Sequence, residues 1–92
     1  MSENVKELKA KLFEIITQLM TPDEVEEFLK DLCTNKEIEQ MAQRIKAAEL
    51  IAEGKTYNQI TDELDISSAT IARVSQALKY GTGYKRFINP NK

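Results

Sequence analysis

Residues 57–76 read YNQITDELDISSATIARVSQ and match the spacing of a helix-turn-helix. In this motif, apolar residues at fixed positions lock two short helices at a steep angle, so that the second helix projects outward. Every required apolar position is filled here, by Ile60, Leu64, Ile66, Ile71 and Val74. Thr61 stands where alanine is usual and Asp65 where glycine is usual. Aspartate is tolerated because it enters left-handed backbone conformations at modest cost, so the stretch predicts two helices joined by a tight turn.

The outward face of the second helix is built of small or hydrogen-bonding residues and contains no acid. Free backbone N–H groups and the positive end of the helix dipole can bind a phosphate at its start. Arginine suits guanine, glutamine suits adenine, and small methyl-bearing side chains suit thymine. Lysines on either side suit the flanking phosphates, each changing the salt dependence of binding by about one unit of slope. We therefore predict a DNA-binding surface made of Lys55, Ser67, Ser68, Ala69, Thr70, Arg73, Gln76 and Lys79. An ordinary capped helix remains the alternative.

The charges are divided along the chain. The net charge is −2 and the sequence pI about 5.2, yet no acidic residue follows Asp65. Five basic residues lie beyond it, whereas residues 1–65 carry fifteen acidic and eight basic ones. Because partners respond to local fields rather than totals, the basic C-terminal third is the part that suits DNA. The acidic part would suppress non-specific binding.

The rest of the chain predicts helices and no strands. Apolar residues from Val5 to Leu19 follow three- and four-residue steps, which indicates an amphipathic helix ending near Met20. Thr21-Pro22-Asp23-Glu24 is a capping box that starts the next helix. Thr34 or Asn35 caps a third helix, closed by Gly54, and Gly81 and Gly83 end the helix that runs to about Tyr80. We expect the third helix to direct inward Ile38, Met41, Ala42, Ile45, Ala48 and either Ile51 or Ala52.

These patterns predict one all-α domain over residues 1–92, with five helices, or six if 84–88 forms a turn. We assign residues 1–53 to scaffold and dimerisation helices, 56–80 to the helix-turn-helix and 81–92 to a basic tail with a turn at Asn89-Pro90-Asn91. The aromatic and basic residues of this tail would follow phosphates, cover the domain or stay mobile.

Several function classes are disfavoured by composition. The chain has no histidine, one cysteine and no glycine-rich phosphate loop, so neither an enzyme nor a metal site is expected. No apolar run approaches the ~18 residues of a membrane span, and the N-terminus lacks a hydrophobic signal core. We expect a cytoplasmic protein without a membrane partner and without a resident cofactor.

Three segments point to a known family: AQR at 42–44, EGKTY at 53–57 and ATIARV at 69–74. Together with the surrounding residues 32–80 they resemble the Trp repressor superfamily, most closely its short YerC/YecD-type branch. The resemblance implies an intertwined, all-helical homodimer that presents two helix-turn-helix units to successive major grooves of double-stranded DNA. It also implies that the protein is a sequence-specific transcriptional regulator of the repressor kind.

The same resemblance implies a site for a small-molecule corepressor. In the Trp repressor, tryptophan is held by a threonine before the third helix and by two arginines, and Thr34, Arg44 and Arg73 match these positions. Val74 stands where the repressor has glycine, so less room is left beside the ligand, and we predict no tight binding of tryptophan. Arg44 would alternatively pair with Glu39 or Glu49.

A protein-interaction adapter built on the helix-turn-helix scaffold is the rival hypothesis. Its docking surface would be the acidic N-terminal helices, and the net acidity of the chain favours it. Substitution of Arg73 separates the two, because a DNA reader would lose sequence preference and affinity whereas an adapter would keep its partner.

Overall fold

A computed structural model describes residues 2–88 of the chain. Over this range it contains no strand, which confirms the all-α class. Its six helices are α1 (Ser2–Ile16), α2 (Pro22–Leu32), α3 (Asn35–Ala52), α4 (Tyr57–Glu63), α5 (Ser68–Tyr80) and α6 (Gly83–Phe87). The described residues form two compact units, divided between Asn35 and Lys36. The first contains α1 and α2, and the second contains α3 from Lys36 onward together with α4, α5 and α6.

In the first unit, α1 ends earlier than its apolar pattern predicts. The helix stops at Ile16 rather than near Met20, because the chain tightens there into three-residue turns. The N–H of Gln18 donates to the carbonyl of Ile15 and that of Leu19 to Ile16, at 3.0 and 3.1 Å. Such turns commonly satisfy the last carbonyls of a helix. The apolar side chain of Leu19 therefore follows the helix instead of lying on it.

The start of α2 confirms the predicted cap. Thr21 is the N-cap, its hydroxyl oxygen accepts from the N–H of Glu24 at 3.1 Å, and Pro22 occupies the first turn. The Glu24 carboxylate accepts from the N–H of Met20 at 2.8 Å, one residue before the N-cap. The reciprocal half of the capping box is thus displaced by one position.

In the second unit, α3 ends in a Schellman motif. Gly54 has φ +92°, its N–H donates to the carbonyl of Ile51, and the N–H of Lys55 donates to that of Leu50. This left-handed conformation is accessible to glycine because it lacks a Cβ. The predicted role of Gly54 is confirmed.

The core of the second unit is shared by three helices. It consists of Ala47, Ala48 and Leu50 from α3, Ile60 from α4, and Ile71 and Val74 from α5. Leu64 and Ile66 pack against it, so all five apolar positions of the helix-turn-helix lie where the motif requires. The expected inward face of α3 was only partly right. Ala48 is buried, Ile51 packs on the core, and Ile38 and Met41 are half-buried, but Ala42 and Ile45 are exposed.

The turn between α4 and α5 does not use a left-handed residue. Leu64 ends α4 in an extended conformation, with φ −121° and ψ 148°, and no non-glycine residue of the described chain has positive φ. The left-handed geometry that was offered to explain why aspartate is tolerated at position 65 is therefore not used. Leu64 and Ser67 are extended at the two ends of the turn, and Asp65 between them has no positive φ, which is why aspartate fits where glycine is usual.

The sixth helix covers part of the core. Tyr84 from α6 and Ile88 after it pack against the buried cluster, whereas the Phe87 side chain is 78% exposed. Gly81 allows the close turn into this segment, because a Cβ there would lie 2.7 Å from the carbonyl oxygen of Ala77. Three roles were expected for the tail, and residues 84–88 take one of them, because they cover the domain. The predicted turn at residues 89–91 lies outside the described residues.

Candidate nucleic-acid interface

The N-terminus of α5 is capped by its own sequence. The Ser67 hydroxyl accepts from the N–H of Thr70 at 3.1 Å and lies 2.9 Å from the Thr70 hydroxyl. The cap leaves the N–H groups of Ser68 and Ala69 without an acceptor inside the helix. Both residues are exposed. This end of α5 therefore presents free donors and a positive dipole to solvent, which is the arrangement that binds phosphate.

Most of the residues predicted to contact DNA are accessible. Ser68, Ala69, Arg73 and Gln76 are exposed, and Thr70 is only partly so. The Thr70 hydroxyl is occupied with Ser67, which leaves its methyl group as the part free for an apolar contact. The face contains no acidic residue, although Asp65 is exposed two positions before the cap.

The two predicted flanking lysines lie at opposite ends of the motif. Lys55 follows the Schellman turn of α3 and is exposed. Lys79 is in the last turn of α5, with its Nζ 5.8 Å from the centre of the Tyr80 ring. Its carbonyl accepts from the Lys85 Nζ at 3.0 Å, so α6 satisfies one of the last carbonyls of α5.

A cleft of about 730 Å³ lies between α3, α5 and α6. It brings together Arg44 and Arg73, and its lining contains no carboxylate. Neither guanidinium forms an ion pair within residues 2–88, and Glu49 pairs with Lys46 at 3.8 Å. The alternative pairing of Arg44 with Glu39 or Glu49 is therefore wrong. Two unpaired guanidinium groups lining one cleft are chemically suited to an anionic ligand.

Sequence reasoning identified the arginines of this cleft but not its apolar part. Met41 and Ile45 from α3 and Tyr80 and Tyr84 from the C-terminal segment also line it. The spacing of Met41, Arg44 and Ile45 by three and four residues places them on one helix face, which was the available signal. Val74 contributes to both the cleft wall and the buried core. Thr34, the third predicted effector residue, belongs to the first unit and directly precedes α3.

The described part of the chain contains neither a cluster of metal-binding side chains nor a membrane-spanning helix. No group of three or more Cys, Asp or Glu residues there has a geometry that would hold a metal ion. None of the six helices is both long and apolar enough to cross a membrane.

Comparison with known proteins assigns the family. The family described as Trp repressor protein matches residues 6–91, and the chain belongs to it. The chain is 45% identical over 71 residues to the uncharacterized protein YerC of Bacillus subtilis (strain 168). The aligned residues cover 77% of this chain and 68% of YerC. The crystal structure of a TrpR-like protein from Eubacterium eligens ATCC 27750 matches with a TM-score of 0.83 and 38% identity. That match covers 87% of this chain and 84% of the other.

These relationships confirm the resemblance inferred from residues 32–80 and extend it. The family match includes most of α1 and all of the helices from α2 to α6. The fold is therefore the Trp-repressor-like fold of YerC-type proteins.

Proposed function

We propose that this protein is a cytoplasmic, sequence-specific transcriptional regulator, of the repressor kind, that binds double-stranded DNA with its helix-turn-helix. The observation that carries the proposal is the N-terminal end of α5, where a side-chain cap, free backbone donors and an exposed acid-free face coincide. No catalytic role, metal or resident cofactor is part of it.

The proposed contacts divide by chemistry. Ser67, Ser68 and the first N–H groups of α5 bind a phosphate and set the depth of the helix in the major groove. Lys55 and Lys79 bind flanking phosphates by charge. The residues between them, exposed Ala69, Arg73 and Gln76 and half-buried Thr70, are the ones proposed to lie beside the groove.

Enrichment of fragmented host genomic DNA on the purified protein tests this function. The expected result is a recurring, two-fold-related site with the wild type and its loss with the double variant Ser68→Ala, Arg73→Ala. Both side chains are exposed, so the variant should fold. Equal enrichment with the two proteins would overturn the proposal.

A second copy of the chain is the proposed partner of the first unit. No residue from Asn4 to Asn35 is buried, and the Leu8 and Phe13 side chains are 70% and 59% exposed. Apolar side chains at helical spacing normally pack against something. A homodimer covers this surface and supplies the second reading helix that a two-fold-related DNA site requires.

The cleft between α3, α5 and α6 is the proposed effector site. Arg44 and Arg73 suit a ligand with a carboxylate, and the ligand would act on DNA binding because Arg73 belongs to α5. Thr34 is proposed as a third contact on the family pattern alone. A corepressor of this class need not be tryptophan, since the Val74 side chain fills part of the cleft wall.

Tryptophan itself is predicted not to bind tightly. A calorimetric titration should give no saturable heat at micromolar ligand. The valine occupies the space that glycine leaves open in the Trp repressor, and its removal would cost core packing. Micromolar affinity would show that the cleft adapts and that Val74 is not an obstacle.

An adapter function is favoured by one observation, the acidity of the first unit, where residues 1–35 hold eight acidic and four basic residues. In that case the first unit would bind another protein and α5 would be only scaffold. The genomic enrichment separates the two hypotheses, because an adapter enriches no DNA site and its binding is insensitive to Arg73.

A further inference from the structure

Two stripes of residues run along α5 on different sides of its buried face. Thr70, Arg73, Ala77 and Tyr80 follow one another by three and four residues, and all of them line the cleft against α3. At about 100° per residue this spacing keeps them on one side of the helix. This cleft stripe contains the only arginine of α5.

The other stripe begins at the capped end and faces away from the core. It consists of Ala69, Ala72, Gln76 and Lys79, again three and four residues apart, and we call it the reading stripe. Ala69, Gln76 and Lys79 are exposed, and Ala72 is partly exposed and does not pack on the buried cluster. Gln76 also borders the cleft. The part nearest the N-terminus, which enters the groove in helix-turn-helix proteins, is therefore two alanines.

We infer that α5 recognises thymine through its 5-methyl group, contacted by Ala69 and Ala72, and adenine through Gln76, with Arg73 on phosphate rather than on guanine. The inference rests on the proposed DNA-binding function. An alanine methyl group offers no hydrogen bond, and the thymine methyl is the apolar feature in the major groove. A glutamine amide can bond both N6 and N7 of adenine.

The position of Arg73 on the cleft stripe favours phosphate over guanine as its contact. Bidentate recognition of guanine by arginine is the commonest specific contact in the major groove. Arg73 begins on the cleft side, opposite Arg44, and the reading stripe itself carries no arginine. At the edge of the cleft, Arg73 would lie beside the reading stripe, and we assign it to a phosphate that flanks the groove. The preferred half-site should therefore contain A·T pairs at the positions nearest the N-terminus of α5.

Replacement of thymine by uracil in the enriched site tests the inference, because it removes the 5-methyl group and leaves base pairing unchanged. Deoxyuridine should weaken binding about fourfold for each methyl group that Ala69 or Ala72 contacts, the value for one buried methyl. In the Ala72→Gly variant, uracil at the base position that faces residue 72 should not lower the DNA-binding affinity further. Ala42→Gly, at an exposed site in α3, controls for the loss of helix propensity.

The possible outcomes distinguish this inference from the proposed DNA-binding function on which it rests. A specific site at which no uracil substitution changes affinity, or at which loss of guanine matters and depends on Arg73, would overturn thymine recognition and leave DNA binding intact. Absence of any enriched site would overturn the proposed function and the inference together. A methyl effect that disappears in Ala72→Gly but persists in Ala42→Gly supports both.

Discussion

At the scale of single residues, Gly54 illustrates how one backbone angle fixes the placement of a functional element. It ends α3 with φ +92° and directs the chain into Lys55 and the cap of α4. A side chain would fit the available space, since no atom lies within 4 Å of a Cβ built there. The requirement for glycine is therefore conformational and not steric.

Substitution Gly54→Ala should lower the free energy of unfolding by about 1–2 kcal/mol, the cost of a left-handed conformation for a residue with a Cβ. Urea denaturation followed by circular dichroism measures it. Gly83→Ala is the matched control, because Gly83 also has open space around its Cβ position but no positive φ. It should be neutral or slightly stabilising at the start of α6. Equal losses in the two variants would show that the conformation of Gly54 is not the cause.

At the scale of helices, the two aromatic residues of α6 have different roles. Tyr84 packs against the buried cluster and lines the cleft, whereas the Phe87 side chain is 78% exposed and lies against Arg86, 5.2 Å from the ring centre to the guanidinium carbon. A helix of five residues is too short to be stable alone. Packing of Tyr84 is therefore a main contribution to holding α6 in place, beside Ile88 and the Lys85 hydrogen bond to the carbonyl of Lys79.

Tyr84→Ala should reduce stability by roughly 1–2 kcal/mol, a fraction of the value for a fully buried aromatic side chain. Phe87→Ala should change it by less than about 0.5 kcal/mol, as is usual for surface substitutions. Thermal unfolding of both variants beside the wild type measures the difference. A larger effect of Phe87 than of Tyr84 would contradict the assigned packing of α6.

The helices also show what could and could not be predicted from the sequence. The helix-turn-helix was predictable because its apolar residues, such as Ile60 and Ile71, recur at spacings that only one face can satisfy. The buried face of α3 was not predictable, because apolar residues occur on several sides of this helix. Only its last turns, with Ala47 and Leu50, pack on the core. Long-range packing selects among such faces, and periodicity alone does not encode it. The arginines of the cleft came from family resemblance, and their convergence required the structure.

At the scale of the whole molecule, the acid-free basic segment and the exposed apolar residues lie in different parts of the chain. Each part suits a different proposed partner. The acid-free end of the chain suits DNA, and the exposed apolar face of α1 and α2 suits a second copy. The proposed dimer would also increase the surface that this short chain buries. A protein of this length buries only about 60–65% of its unfolded surface by itself.

Phe13→Asp should convert the dimer into a monomer at micromolar concentration, because a carboxylate buried in an apolar interface lacks a partner. Sedimentation equilibrium gives the mass directly. Gln18→Glu introduces the same charge at another exposed position of the first unit and should leave the dimer intact unless that position is also covered. A wild type that sediments as a monomer at 100 µM, a concentration of order 10⁻⁴ M where obligate dimers persist, would contradict the proposed pairing.

Discrimination between DNA sequences is the most direct test of the central claim, that α5 recognises DNA. Equilibrium binding of the wild type and of Ser68→Ala, Arg73→Ala should be measured on the enriched site and on a scrambled duplex at 150 mM salt, about the physiological ionic strength. We predict that the wild type prefers its site by roughly 10³-fold or more, and that the variant, which lacks two contacts that position α5, loses most of its affinity for that site. Equal affinity of the wild type for the two duplexes would contradict the account, and α5 would then be scaffold.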